Sequence, residues 1–186
     1  MNHKLSRIQL FEAIRDIPYV LADSTRDTSC TSKAKMLGEI FSRMGFECRL
    51  ARCQFNWSHL DLPEWLLGTI ATEIPSLQSN HTFLEIRLEK IGLWISLDPT
   101  WDKALSPTLP LVSWDGLTST QLAVKPLNDK TTILTDSNMQ HVRPEDLEFP
   151  NRDTSNKFIK QFNRWLEDIR KLNQTSLSKN DIFNLS

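Results

Sequence analysis

Cys30, His81 and Asp98 are three residue types that together perform thiol chemistry, and they sit far apart in the chain. Cys30 closes a short polar stretch and opens the helical pattern of "TRDTSCTSKAKMLGEIFSRMG". A thiol in the first turn of a helix feels the partial positive charge of amides that lack an intrahelical acceptor, which favours thiolate. A small structural thiol would more naturally lie within the apolar stripe. Near neutral pH an unperturbed thiol is only a few per cent ionised, so a nucleophilic Cys30 needs a base nearby.

The hairpin pattern of "HTFLEIRLEKIGLWISLDPTWD" supplies that base. Two alternating runs flank a Glu-Lys-Ile-Gly turn. Leu84, Ile86 and Leu88 form one face of the first strand, and Leu93, Ile95 and Leu97 form one face of the second. Both sets seek one core, so pairs such as Leu84 with Leu97 are expected. On the opposite face that register puts His81 within a diagonal step of Asp98. An imidazole beside a carboxylate can take a thiol proton and later protonate a leaving amine, while the Asp holds the useful tautomer and stabilises the charged ring.

Around these residues the pattern predicts a first helix through Leu5, Ile8, Phe11, Ile14 and Ile17, ended by Pro18. Asp27 and Thr28 are capping residues for the second helix, whose inward stripe is Ala34, Leu37, Ile40, Phe41 and Met44 and whose stop is Gly45. "FECRLARCQFNW" alternates as a strand, with Ala51, Cys53, Phe55 and Trp57 facing one way and Cys48 and Leu50 the other. Pro63 and Pro75 bracket a short helix or an irregular flap. Residues 103–150, rich in Pro, Thr, Ser and Asp, read as strands and long loops around "LPLVSW" and "TTILT". A final amphipathic helix over about 156–174 carries Phe158, Ile159, Phe162, Trp165, Leu166, Ile169 and Leu172 on one face.

The whole chain of 186 residues fits a single domain over 1–186, with a core over about 14–150. Hydrophobic residues make up 39% and charged residues 24%, and the net charge is −1. Nothing in that balance draws the chain to nucleic acid or to an anionic membrane. The charged, amphipathic N-terminal stretch does not read as a secretory signal, and no apolar run is long enough to span a bilayer. Three cysteines cannot all pair within one chain, and a cytoplasmic, reducing setting that leaves thiols free is the expectation. Cys48 and Cys53 are an odd number of positions apart on a predicted strand. They face opposite ways and cannot share a metal with His59, so no metal site is expected. His3, His59 and His141 have no thiol or carboxylate partner at a supporting spacing and are expected at the surface.

With Cys30 in "DTSCTSKAKMLGEIFSRMG", His81 in "NHTFLEI", Asp98 in "WISLDPTWD" and the lead-in "IRDIPY", the chain resembles the transglutaminase-like superfamily over roughly Ile14 to Asp102. The resemblance implies an α+β, papain-like fold in which a nucleophile-bearing helix packs on an antiparallel sheet carrying His and Asp, with flanking terminal helices. It implies cysteine-dependent acyl transfer on an amide of a peptide or protein substrate, with no cofactor, and hydrolysis of a peptide or isopeptide-type bond is the expected reaction. Transamidation or acetyl transfer through the same triad, and a catalytically idle binding or scaffold module, are the alternatives. Thr31 follows Cys30 where the animal cross-linking enzymes have Trp, which points away from their reaction. The Cys30 backbone amide, with Tyr19 as its partner, is the candidate oxyanion hole. Trp65 and Trp101 are candidates for a substrate groove. Oligomeric state is not legible.

Overall fold

The chain's computed structural model describes residues 3–21, 27–88, 92–129, 131–134 and 152–183. Four helices, α1 (His3–Arg15), α2 (Cys30–Arg43), α3 (Glu64–Glu73) and α4 (Arg152–Phe183), accompany four strands, β1 (Glu47–Asn56), β2 (Gln78–Leu88), β3 (Leu93–Leu97) and β4 (Thr132–Leu134). The strands form one antiparallel sheet in the order β3-β2-β1-β4, so the fold is α+β.

Alternation within β1 and β2 divides the interior in two. Leu50, Leu84 and Ile86 face one core with Phe11, Leu37, Phe41 and Leu97, beneath α1 and α2. Ala51, Cys53, Phe55 and Phe83 face a second core with Leu66 and Ile70 of α3 and Phe158, Phe162, Leu166 and Ile169 of α4. Cys48 packs against the first core and Cys53 lies in the second, as their spacing requires. The hairpin register is the expected one, with Leu84 opposite Leu97, Ile86 opposite Ile95 and Leu88 opposite Leu93. Its turn at residues 89–91 lies outside the described residues.

Helix α2 begins at Cys30 and stops at Gly45, whose φ of +90° lets the Phe46 N–H turn back to the Phe41 carbonyl. Ser29 is the N-cap residue, not Asp27 or Thr28. Asp27 instead accepts from the Ser29 N–H, and the Thr28 hydroxyl donates to the Pro18 carbonyl. Gly38 brings α2 close to the sheet, since a Cβ there would meet Leu84 at 3.1 Å.

The proline-bracketed segment is a short helix, α3, one of its two expected forms. Other elements differ from the pattern. "LPLVSW" is not a strand, because its Leu109 fills one core while Val112 and Trp114 fill the other, leaving the backbone irregular. "TTILT" contributes only the three residues of β4, and residues 135–151, including His141, lie outside the described residues. Helix α4 is 32 residues long, beyond the expected 156–174, and Leu172 is 71% exposed because the second core ends at Ile169. Leu5 and Met44 are likewise exposed at the ends of their helices.

Candidate active site

β2 overruns β3. Its ladder with β3 begins at Leu84, while its pairing with β1 continues back to Gln78. Past the end of β3, the β2 edge is open, and the first turn of α2 lies against it. There the Thr82 main-chain N–H faces the Cys30 thiol closely enough to favour its ionised form. The His81 ring, one residue earlier and on the face of the second core, lies beside the same thiol, where its charge acts on it. Its Nε2 lies 2.6 Å from Asp98 Oδ2. With Nε2 committed to the carboxylate, Nδ1 is the nitrogen left for sulfur. The three residues singled out in the sequence are thus joined in one line from thiol to imidazole to carboxylate.

Asp98 is fully buried, and its carboxylate is saturated with donors. Ala123 N–H gives 2.7 Å to Oδ2, while the Thr100 N–H (3.2 Å) and hydroxyl both donate to Oδ1. The Asp98 N–H donates in turn to the Thr120 hydroxyl at 2.9 Å. Burial raises the pKa of a carboxyl, but the His81 ring and these donors more than offset it and hold Asp98 below the ordinary range. Burial alone would strip His81 of its proton, yet the Asp98 charge and the thiol partner raise its pKa well above the usual imidazole value. For Cys30, burial pushes the thiol up, and the His81 ring and the Thr82 N–H bring it down below the ordinary value. These directions favour a thiolate–imidazolium pair backed by a carboxylate.

Tyr19 is buried against Trp101, ring centroids 4.8 Å apart, and its phenolic oxygen lies beside the Cys30 main-chain N–H. Burial and the nearby negative groups raise its pKa far above that of a free phenol, so the hydroxyl keeps its proton. The Cys30 N–H and the Tyr19 hydroxyl therefore lie together beside the sulfur.

The thiol lines a cavity of about 220 Å³ whose walls include Tyr19, Trp57, His81, Trp101 and Val124. Among the described lining residues the ionisable side chains are Tyr19, Cys30 and His81, and the rest are apolar, hydroxyl or carboxamide. Trp101 is therefore a wall of the cavity. Trp65 is not: it stands 55% exposed on α3, because Leu66 and Ile70 occupy the inward side of that short helix. Trp57 takes a place in the wall that the alternation assigned only to core.

Lys33, one turn after Cys30, is wholly buried and donates to the carbonyls of Arg15 (2.7 Å) and Thr100 (2.8 Å). Burial lowers its pKa to about 7 against the opposing pull of Asp102. Its bonds tie helix α2 to the segment carrying Asp98. The pattern carried no sign of this, since a lysine within "CTSKAK" reads as solvated. The Thr82 and Ala123 amides were equally hidden, because a main-chain donor has no residue type to mark it. Thr100 was legible as part of "DPT".

Among the described residues, no group of three or more His, Cys, Asp or Glu side chains could hold a metal ion, and no helix is long and apolar enough to cross a membrane. No family model, curated protein or solved structure matches the chain.

Proposed function

We propose that this chain is a cysteine-dependent acyl-transfer enzyme acting on amides, with hydrolysis of a peptide or isopeptide-type bond as its reaction, in a papain-like arrangement of the transglutaminase-like kind. The observation that carries the reading is the alignment of Cys30, His81 and Asp98, with His81 bonded to Asp98 at 2.6 Å, its ring acting on the Cys30 thiol, and the sulfur on a cavity wall. Cys30 Sγ attacks the carbonyl carbon and forms the C–S bond. Negative charge gathers on the carbonyl oxygen, where the Cys30 N–H and Tyr19 O–H can receive it. The imidazolium gives its proton to the departing nitrogen as the C–N bond breaks. Water then attacks the thioester, His81 takes its proton, and the acid leaves with the thiol restored. An amine in place of water would turn the second half into transamidation. Asp98 stays ionised throughout and holds the ring. The uncharged character of the described walls favours a neutral acyl group.

Alkylation by iodoacetamide across pH, with the modified cysteine located by peptide mapping, tests this. Cys30 is expected to react at a lower pH than an ordinary thiol, and to slow as pH falls through its lowered pKa. In His81→Ala only the Thr82 N–H opposes the burial of the thiol, and that reactivity should be lost. A Cys30 that reacts like an ordinary thiol, with no dependence on His81, would overturn the reading in favour of a module that binds without turnover.

A further inference from the structure

Helix α4 packs on the sheet through Phe158, Phe162, Leu166 and Ile169. It also buries polar side chains that this packing does not need, at a cost in desolvation. Those side chains converge on one short segment. The Arg170 Nη2 donates to Asp102 Oδ2 (2.7 Å) and to the Tyr19 carbonyl (2.8 Å), and its Nε donates to Asp102 Oδ1 at 3.2 Å. Asp102 Oδ2 also accepts the Tyr19 N–H at 2.8 Å. Both main-chain groups of Tyr19 are therefore held by one guanidinium–carboxylate unit. Two residues on, the Asn163 carboxamide pairs with the Leu21 N–H (2.9 Å) and carbonyl (3.0 Å), as a neighbouring strand would. Asn163 and Arg170 are seven positions apart, two turns on one helix face. Tyr19 and Leu21 both line the cavity of the thiol.

We infer that Arg170 is a positioning residue for acyl transfer, acting through Asp102 to hold the Tyr19 hydroxyl beside the Cys30 N–H. This rests on the proposed function, and it makes the C-terminal helix part of the site although none of its described side chains lines the cavity. A bidentate fork suits the task, because it fixes direction as well as distance. Lysine at 170 would bring a point charge without the planar fork, and so hold the partners less rigidly in direction.

Two reagents separate positioning from folding. Iodoacetamide reacts at a saturated carbon, and no oxyanion forms. p-Nitrophenyl acetate reacts at a carbonyl: the C–S bond forms, p-nitrophenolate leaves with the C–O electron pair, and water later releases acetate. In the full chain, Arg170→Met is expected to slow acylation of Cys30 roughly tenfold or more, approaching the loss in Tyr19→Phe. The iodoacetamide pH profile should stay within about twofold of wild type, since the Cys30 thiol is set by His81 and Thr82. Arg170→Lys should fall between, and adding Arg170→Met to Tyr19→Phe should change little, because the two act as one unit. If Arg170→Met does not fold, Arg170→Lys and Asp102→Asn carry the same comparison. Parallel loss of both reactions would reduce Arg170 to a structural role, and loss of neither would remove it from the site. A wild-type protein without a reactive Cys30 overturns the proposed function itself, an outcome distinct from either.

Discussion

The two faces of the β1–β2 sheet are built from alternate residues of the same strands, yet they differ in kind. The face under α1 and α2 is a packing surface, where Leu50, Leu84, Ile86 and Leu97 meet Leu37 and Phe41. The face toward α3 and α4 contains apolar residues too, but His81 and Asp98 are buried among them with every strong polar partner supplied by the chain. One parity holds the strands together, and the other aims side chains at a cavity. A single step along β2, from Phe83 to Leu84, passes from one role to the other. Chemistry of this kind is tolerated in an interior only where each buried polar atom is satisfied, which is why Asp98 needs Thr100, Ala123 and His81 at once.

That division can be broken from either side. The largest effect is expected from Asp98→Asn, which removes the charge that keeps His81 protonated: Cys30 acylation should fall by about 10²–10⁴-fold, measured as the p-nitrophenolate burst. An unchanged burst would separate Asp98 from the chemistry. Leu84→Ala, one face away, should cost about 2–5 kcal/mol in urea unfolding while the folded protein keeps its low-pH thiol reactivity. Should that variant lose reactivity while still folded, the two faces are not independent.

Lys33 sharpens the comparison, because it is an ionisable side chain wholly buried on α2. Its pKa is about 7 in the folded chain and near 10.5 when unfolded. Between those values the unfolded state binds more protons, so Lys33 makes stability rise with pH. The raised pKa of His81 works the other way: its contribution is full below about 6.5 and is lost as pH climbs through the folded value. The stability difference between wild type and Lys33→Met isolates the lysine, and should slope by about 1.4 kcal/mol per pH unit between pH 7 and 10. A flat difference would mean that Lys33 titrates as an exposed amine. Smallest of all, Leu172→Ala should shift stability by no more than about 0.5 kcal/mol, since that side chain lies beyond the core.

Much of this arrangement is legible in local patterning. Leu84 and Leu97 seek one core, a strand has period two, and the pairing of His81 with Asp98 then follows without further information. The start of α2 at Cys30 and its stop at Gly45 are short-range as well. Other features were not legible. Trp65 and Trp101 read alike as aromatics near irregular segments, and only packing put Trp101 in the wall and Trp65 in solvent. "LPLVSW" has the residues of a strand, but its side chains serve two cores at once and no ladder forms.

By itself, the sequence determined which residues share a face and which open or end an element, because those depend on backbone periods and on chemistry within a few positions. Only the tertiary structure decided what meets across long separations: Arg170 with Asp102 and Tyr19, Lys33 with Thr100, Ala123 with Asp98. Such meetings depend on how whole elements stack, and main-chain donors such as the Thr82 N–H are common to nearly every residue. No residue type could announce them before the strand edge and the helix end came together.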